Sequence, residues 1–215
     1  SYTGGLIGCN EMELNICNVM LEGNIYGQRY TGGFTGRSTA NLTISDSKIN
    51  NARIKAATNW SGGFIGYVVQ YKTATFQNCR AENVNILGLY TGGLVGAMDG
   101  NIQASNMEFI NVIGVTTKTN GYAGLLVGNA DNTSNKGYSN KVNGYNILAT
   151  SCKFGYSQSA DVETLSKAEI QFVENAGFWV GKTRAQKGSI KLVAVAARGE
   201  IFPQKDIGKN RSTTD

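Results

Sequence analysis

The sequence predicts an all-β fold, a right-handed parallel β-helix of about six coils with three short strands in each. Three observations predict it. A glycine-rich motif recurs: YTGGLIG from Tyr2, YTGGFTG from Tyr30, WSGGFIG from Trp60, YTGGLVG from Tyr90, the variant YAGLLVG from Tyr122 and a degenerate NAGFWVG from Asn175. Its starts lie 28, 30, 30, 32 and 53 residues apart. A near-constant period of this length marks a repeat architecture whose units bury their apolar faces against one another. Second, apolar residues alternate with polar ones after the motif, at Leu14 and Ile16, Leu42 and Ile44, Ala74 and Phe76, Ile102 and Ala104, and Ile147 and Ala149. Period two means a strand with one buried face. Third, the residue after the glycines is large and apolar in every copy: Leu6, Phe34, Phe64, Leu94, Leu126 and Trp179.

Each element of the period follows in order. The alternating segment is the first strand. Beyond it stand Val19, Ser47, Cys79, Met107 and Cys152, then Leu21, Ile49, Ala81, Phe109 and Phe154, which form the inward positions of the second strand. A third apolar segment contains Ile25, Ile54, Val84 with Ile86, and Val112 with Val115. Three strands per period, stacked period on period, place each residue type over its counterpart at roughly 4.8 Å. Propeller blades need four strands and usually longer periods. Helical solenoids need a 3.6-residue periodicity that is missing here. The glycines stack at one corner, where they let the chain turn and let backbones approach closely. The large residue after them points inward. The next position (Ile7, Thr35, Ile65, Val95, Val127, Val180) admits threonine, so it is expected to be less strictly buried.

Residues 1–181 are read as the repeats, with a loop or short-helix insertion around 155–174. Residues 182–215 are read as a C-terminal cap strand, at 191–197, and a basic tail carrying eight basic and three acidic side chains. The chain of 215 residues is long enough for one substantial core. Only 16% of residues are charged, and one is proline. No apolar run is long enough to span a bilayer. The net charge of +5 comes mostly from the tail, which has no aromatic-rich basic patch of the kind single-strand binding needs, so nucleic acid is not the expected partner.

YTGGLIG, WSGGFIG and YTGGLVG resemble GLUG-motif repeats. These occur in bacterial and some eukaryotic surface proteins, including adhesin-like and filamentous-haemagglutinin-like proteins and the stalks of certain IgA-cleaving metallopeptidases. The resemblance covers residues 1–128, with an echo at 175–181. It implies an extracellular or cell-surface β-helical stalk or adhesive module, and it implies no catalytic residues. A carbohydrate-active or glycan-binding β-helix is the alternative.

The chemistry sought in the sequence is not found. There is no histidine, which excludes Ser-His-Asp and Cys-His catalysis and the HExxH metallopeptidase motif. A β-helical glycosidase or lyase needs converging carboxylates. The closest grouping in the repeats, Glu11 and Glu13, reads as a solvated strand face. Asp99 and Asp131, after two of the motifs, read as turn residues. No CxxC occurs, and no catalytic, metal-binding or cofactor-binding residue is assigned. Cys79 and Cys152 read as buried hydrophobes at one ladder position two coils apart, beyond disulfide reach. Cys9 and Cys17 are close enough in sequence to meet across one corner. Among the sequons at Asn41, Asn59, Asn132 and Asn210, Asn132 is the candidate glycosylation site if the chain is secreted by a eukaryote.

One surface feature is a candidate ligand column: Tyr2, Tyr30, Trp60, Tyr90 and Tyr122 stack in register. It is read either as a ladder fixing register between coils or as a platform for sugar rings. Ice binding needs a regular threonine array, and Thr43, Thr75 and Thr116 are not expected to share a register. The first motif begins at the second residue, so Leu6, Ile16 and Leu21 head an open coil. That coil is expected to be an interface, with other subunits or flanking domains of a longer chain.

Overall fold

The computed structural model describes residues 1–130, 140–158, 161–167, 170, 175–183 and 189–201. They form a parallel β-solenoid built of three sheets. The first sheet stacks Tyr2–Gly4, Tyr30–Gly32, Trp60–Gly62, Tyr90–Gly92, Tyr122–Gly124 and Asn175–Gly177. The second stacks Ile7–Asn10, Thr35–Ser38, Ile65–Val68, Val95–Met98, Val127–Ala130 and Val180–Thr183. The third takes two strands from each early coil, such as Leu42–Ser45 and Lys48–Ala56, and one long strand from each late coil: Asn101–Thr116, Lys141–Tyr156 and Ser189–Ile201.

The repeat differs from the expected one in three ways. The motif is not a corner but two short strands either side of a bend at the second glycine and the large residue, such as Gly33 and Phe34. The expected second and third strands are a single strand, as in Arg80–Gly88. About four turns are complete and regular; the two later rungs are interrupted by segments at 131–139, 159–174 and 184–188, so the expected count of six is too high for regular coils. The strand expected at 191–197 is the core of Ser189–Ile201, which pairs in parallel with Lys141–Tyr156 as a further rung of the third sheet.

The corners of the third sheet belong to asparagine. Asn18, Asp46, Asn78, Asn106 and Asn146 have φ between 50° and 57°, and Asn51, Asn83, Asn111 and Ser151 between 47° and 56°. Asparagine tolerates this left-handed region better than most residues. Each such residue also shifts the in–out alternation. In Lys48–Ala56 the buried Ile49 is followed by two uncovered positions before the buried Ala52. The side chains bond from coil to coil. Asn78 Nδ2 donates to Asp46 Oδ1 at 2.9 Å, Asn106 to Asn78 at 2.9 Å and Asn146 to Asn106 at 2.8 Å. A second ladder runs from Asn111 to Asn83 at 2.9 Å and from Asn83 to Asn51 at 3.3 Å. Asn106→Ala should therefore cost about 1–3 kcal/mol, from a left-handed alanine and two lost side-chain bonds. Asn106→Gly should cost less, because only the bonds are lost. Urea unfolding of the two variants checks the order.

The core fills the space between the sheets. Phe34, Phe64, Leu94 and Leu126 are fully buried in one column, and the Phe34 and Phe64 rings stack at 5.2 Å with 15° between planes. Phe76 meets Phe64 edge-on at 5.8 Å. Two expectations about the motif fail. Leu6, at the outer end of this column, is 48% exposed because no coil covers it among the described residues. The next position is not loosely buried: Thr35, Ile65, Val95 and Val127 are all 0% exposed, and the Thr35 hydroxyl is buried without a partner.

The register also corrects the reading of the fifth coil. Ile102 and Ala104 pair with Val142 and Gly144, while Met107 pairs with Ile147. Cys152 therefore lies five residues beyond the Cys79–Met107–Ile147 column, and Phe154 pairs with Gly114 rather than following Phe109. Lys141–Tyr156 contains two alternating apolar stretches, and the sequence alone does not say which one matches. Thr43 and Thr75, expected to fall out of register, are direct partners; Thr116, on another part of the sheet, is not.

Between the fifth and sixth rungs, residues 161–167 lie against the outside of the third sheet. A short 3-10 segment, Val162–Lys167, lies in the expected insertion. Val162 and Leu165 pack with Leu87, Ile113 and Val115 in a second, smaller core. Asn85 Nδ2 donates to Val162 O at 3.1 Å, Arg53 Nε pairs with Glu163 Oε2 at 2.8 Å, and the Tyr26 hydroxyl donates to Glu163. This strap thus touches the first, second and third coils. A cleft of 490 Å³ lies beside it, lined in part by Tyr26, Gln28, Lys55, Asp161 and Glu163.

Candidate functional site

The aromatic column is real and in register, at the first position of each strand of the first sheet. Ring centroids are 5.2 Å apart for Tyr2 and Tyr30, 4.7 Å for Tyr30 and Trp60, 6.2 Å for Trp60 and Tyr90, and 4.6 Å for Tyr90 and Tyr122. Tyr2 is 41% exposed and the other rings are partly buried. The fold adds a member that motif alignment missed. Tyr67, on the second sheet, meets Tyr30 at 5.3 Å and Trp60 at 4.7 Å. It stands outside the motif, and no signal at that distance in sequence ties it to the column.

Cations and one carboxylate flank the rings. The Arg37 guanidinium lies 5.1 Å from the Tyr2 ring and donates to its hydroxyl at 3.0 Å. Arg29 lies 5.2 Å from Tyr30, and Lys182 lies 4.2 Å from Tyr122 and donates to its hydroxyl at 2.5 Å. Arg37, Tyr67 and Lys182 share one column of the second sheet. The Tyr67 hydroxyl donates to Asp99 Oδ2 at 2.5 Å, and burial, then Asp99, pushes its pKa far above that of a free phenol. Asp99 thus holds a ring in place.

A sugar platform needs a free ring face. Here Tyr90 and Lys182 both pack on Tyr122, while Tyr30, Tyr67 and Tyr90 surround Trp60. The rings spend their faces on one another and on cations, worth about 0.5–1.5 kcal/mol per pair beyond burial. The column reads first as a register device.

The same holds for the charged ladder on the third sheet. Lys48 Nζ pairs with Glu82 at 2.9 Å, and Arg80 bridges Glu82 and Glu108 at 3.0 Å each. The Lys48 hydrogen bond holds the Glu82 carboxyl below its ordinary pKa, while desolvation opposes it. Exposed pairs of this kind add little stability, but opposite charges on neighbouring rungs favour one register.

The remaining candidates are placed as follows. Glu11 and Glu13 are both exposed. Asp131 and Asn132 lie outside the described residues. Among the described residues no group of three or more His, Cys, Asp or Glu side chains is placed to hold a metal ion, and no helix is long and apolar enough to cross a membrane. Cys9, Cys17, Cys79 and Cys152 are all free thiols. Burial pushes the Cys152 thiol up to about 11 and raises Cys79 as well, against hydrogen bonds that lower both. In native protein at neutral pH an alkylating reagent should label exposed Cys17 first and leave Cys79 and Cys152 until unfolding. A Cys79–Cys152 peptide in a non-reduced digest would contradict the register above.

No family model matches this chain, and comparisons with curated proteins and with solved structures find no match.

Proposed function

We propose that this chain is a non-catalytic structural and adhesive β-solenoid module of an extracellular or cell-surface assembly, as its resemblance to GLUG-motif repeats implies. One observation carries the reading. The apolar columns run into the first coil, where Leu6 is 48% exposed and Ile7, Leu14 and Val19 are only partly covered, and Met12 and Met20 add apolar surface on its outside, at 70% and 67% exposed, although Ile16, Leu21 and Ile25 are buried. Apolar side chains over an unpaired strand edge favour association. The alternative, a carbohydrate-active or glycan-binding solenoid, draws less support, because the rings of the column are occupied by one another. Sedimentation velocity at micromolar concentration, with hydrogen exchange of the first coil, is the test. Association with slowed exchange over residues 1–28 is expected. A concentration-independent monomer whose first-coil amides exchange freely would leave a self-contained binding module as the better reading.

A further inference from the structure

The two ends of the solenoid match each other. The geometry points to head-to-tail stacking of copies of this chain, with the last coil of one copy paired in parallel on the first coil of the next. This rests on the reading of the chain as a module of a larger assembly, and it names the partner.

The first argument is charge. Residues 1–28 carry Glu11, Glu13 and Glu22 and no Lys or Arg, a net side-chain charge of −3. The described residues of 175–201 carry Lys182, Lys191 and Arg198 against Glu200, a net of +2 (3 − 1). No such polarity is needed to close a core; opposite charge on opposite ends steers one end onto the other and opposes like ends meeting.

The second argument is register. Following the partners through the third sheet, Glu22 lies in one column with Asn50, Glu82, Ile110, Thr150 and Arg198. One more coil added in the same register would set Glu22 of the next copy over Arg198, at roughly the strand spacing of 4.8 Å. The Glu22 carboxylate is on the surface, where it accepts a hydrogen bond from Asn50 Nδ2 at 2.6 Å. On the second sheet, Cys9 and Lys182 end one column, and the Glu11 carboxylate lies 3.9 Å from Cys9 Sγ. Stacking would bring Lys182 to that carboxylate.

The third argument is the core. Ile16 and Leu192 are the two ends of one column, as are Leu21 and Ala197. Leu192, Val195, Phe178 and Trp179 are only partly buried at the last coil, and Ile7, Leu14 and Val19 at the first. Apolar column would continue onto apolar column, as it does between coils within the chain. The contact is heterologous, so it propagates as a fibre rather than closing as a dimer.

Two charge reversals test this, Glu22→Arg and Arg198→Glu, on the whole chain and with circular dichroism to confirm the fold. At low salt wild type should form linear oligomers in sedimentation and negative-stain images. Each variant alone should associate roughly tenfold more weakly, since like charges then face each other. A one-to-one mixture of the two should recover assembly, because both of its junctions pair opposite charges. Wild-type association that ignores both variants, or a mixture no better than its components, would overturn head-to-tail stacking and leave the assembly reading standing. A monomer with freely exchanging first-coil amides would overturn both.

Discussion

Leu94→Ala is expected to lower the unfolding free energy by about 2–5 kcal/mol. Leu94 is 0% exposed and sits mid-column between Phe64 and Leu126. Its backbone is pinned on both sides: Phe64 N donates to Leu94 O at 2.9 Å and Leu94 N to Leu125 O at 2.8 Å. A cavity there has little freedom to collapse, which places the cost toward the upper part of the range. Leu6→Ala removes the same side chain from the same motif position, but at 48% exposure it should cost less than about 1.5 kcal/mol. Urea unfolding of both variants compares them directly. Equal losses would mean that Leu6 is covered, or that the Leu94 column does not carry the core.

Gly92→Ala is expected to be at least as damaging, at about 3 kcal/mol or more. A Cβ on Gly92 would stand 1.8 Å from Val95 O, 2.5 Å from Val95 C and 2.9 Å from Gly128 N. All three are backbone atoms, so no rotamer change relieves the clash. The strands either side of the bend must part, and the next coil with them. The reason is space and not dihedral angle, because the motif glycines do not have the positive φ that Gly23 has. Gly8→Ala is the control within the same motif: its nearest contact is Tyr2 O at 3.1 Å, so a small shift accommodates it. The melting temperature of Gly92→Ala should fall well below that of Gly8→Ala; similar values would show that the bend can open cheaply.

Much of this architecture was legible because a parallel solenoid repeats its local chemistry at a fixed spacing. The motif locates the large-residue column, but it reads as a corner and not as the strands of the first two sheets. The close backbone approach expected of the glycines holds, but the atom approached, the carbonyl three residues on, is not legible from the motif. The asparagine corners were equally regular in sequence, yet Asn is common in this chain and its φ is invisible until the register is known. Lys141–Tyr156 misled because an apolar alternation looks the same wherever it falls along a strand. Tyr67 joined the aromatic column only through the facing of two sheets, which no spacing encodes. The strap over the third sheet was expected as an insertion, but its direction was not, because Arg53 and Glu163 lie far apart in the chain.

That strap changes how the molecule is expected to unfold. In an array where each rung touches only its neighbours, terminal rungs fray one at a time and stability is a sum of local terms. Glu163 binds Tyr26 and Arg53, so a segment made after the fifth rung is fastened to the first and second. Rungs one to four then lose their strap contacts together, which penalises stepwise fraying from the leading end. The same fastening has a kinetic side. It closes contacts more than a hundred residues apart, such as Tyr26 with Glu163, and these form only after the intervening rungs are in place.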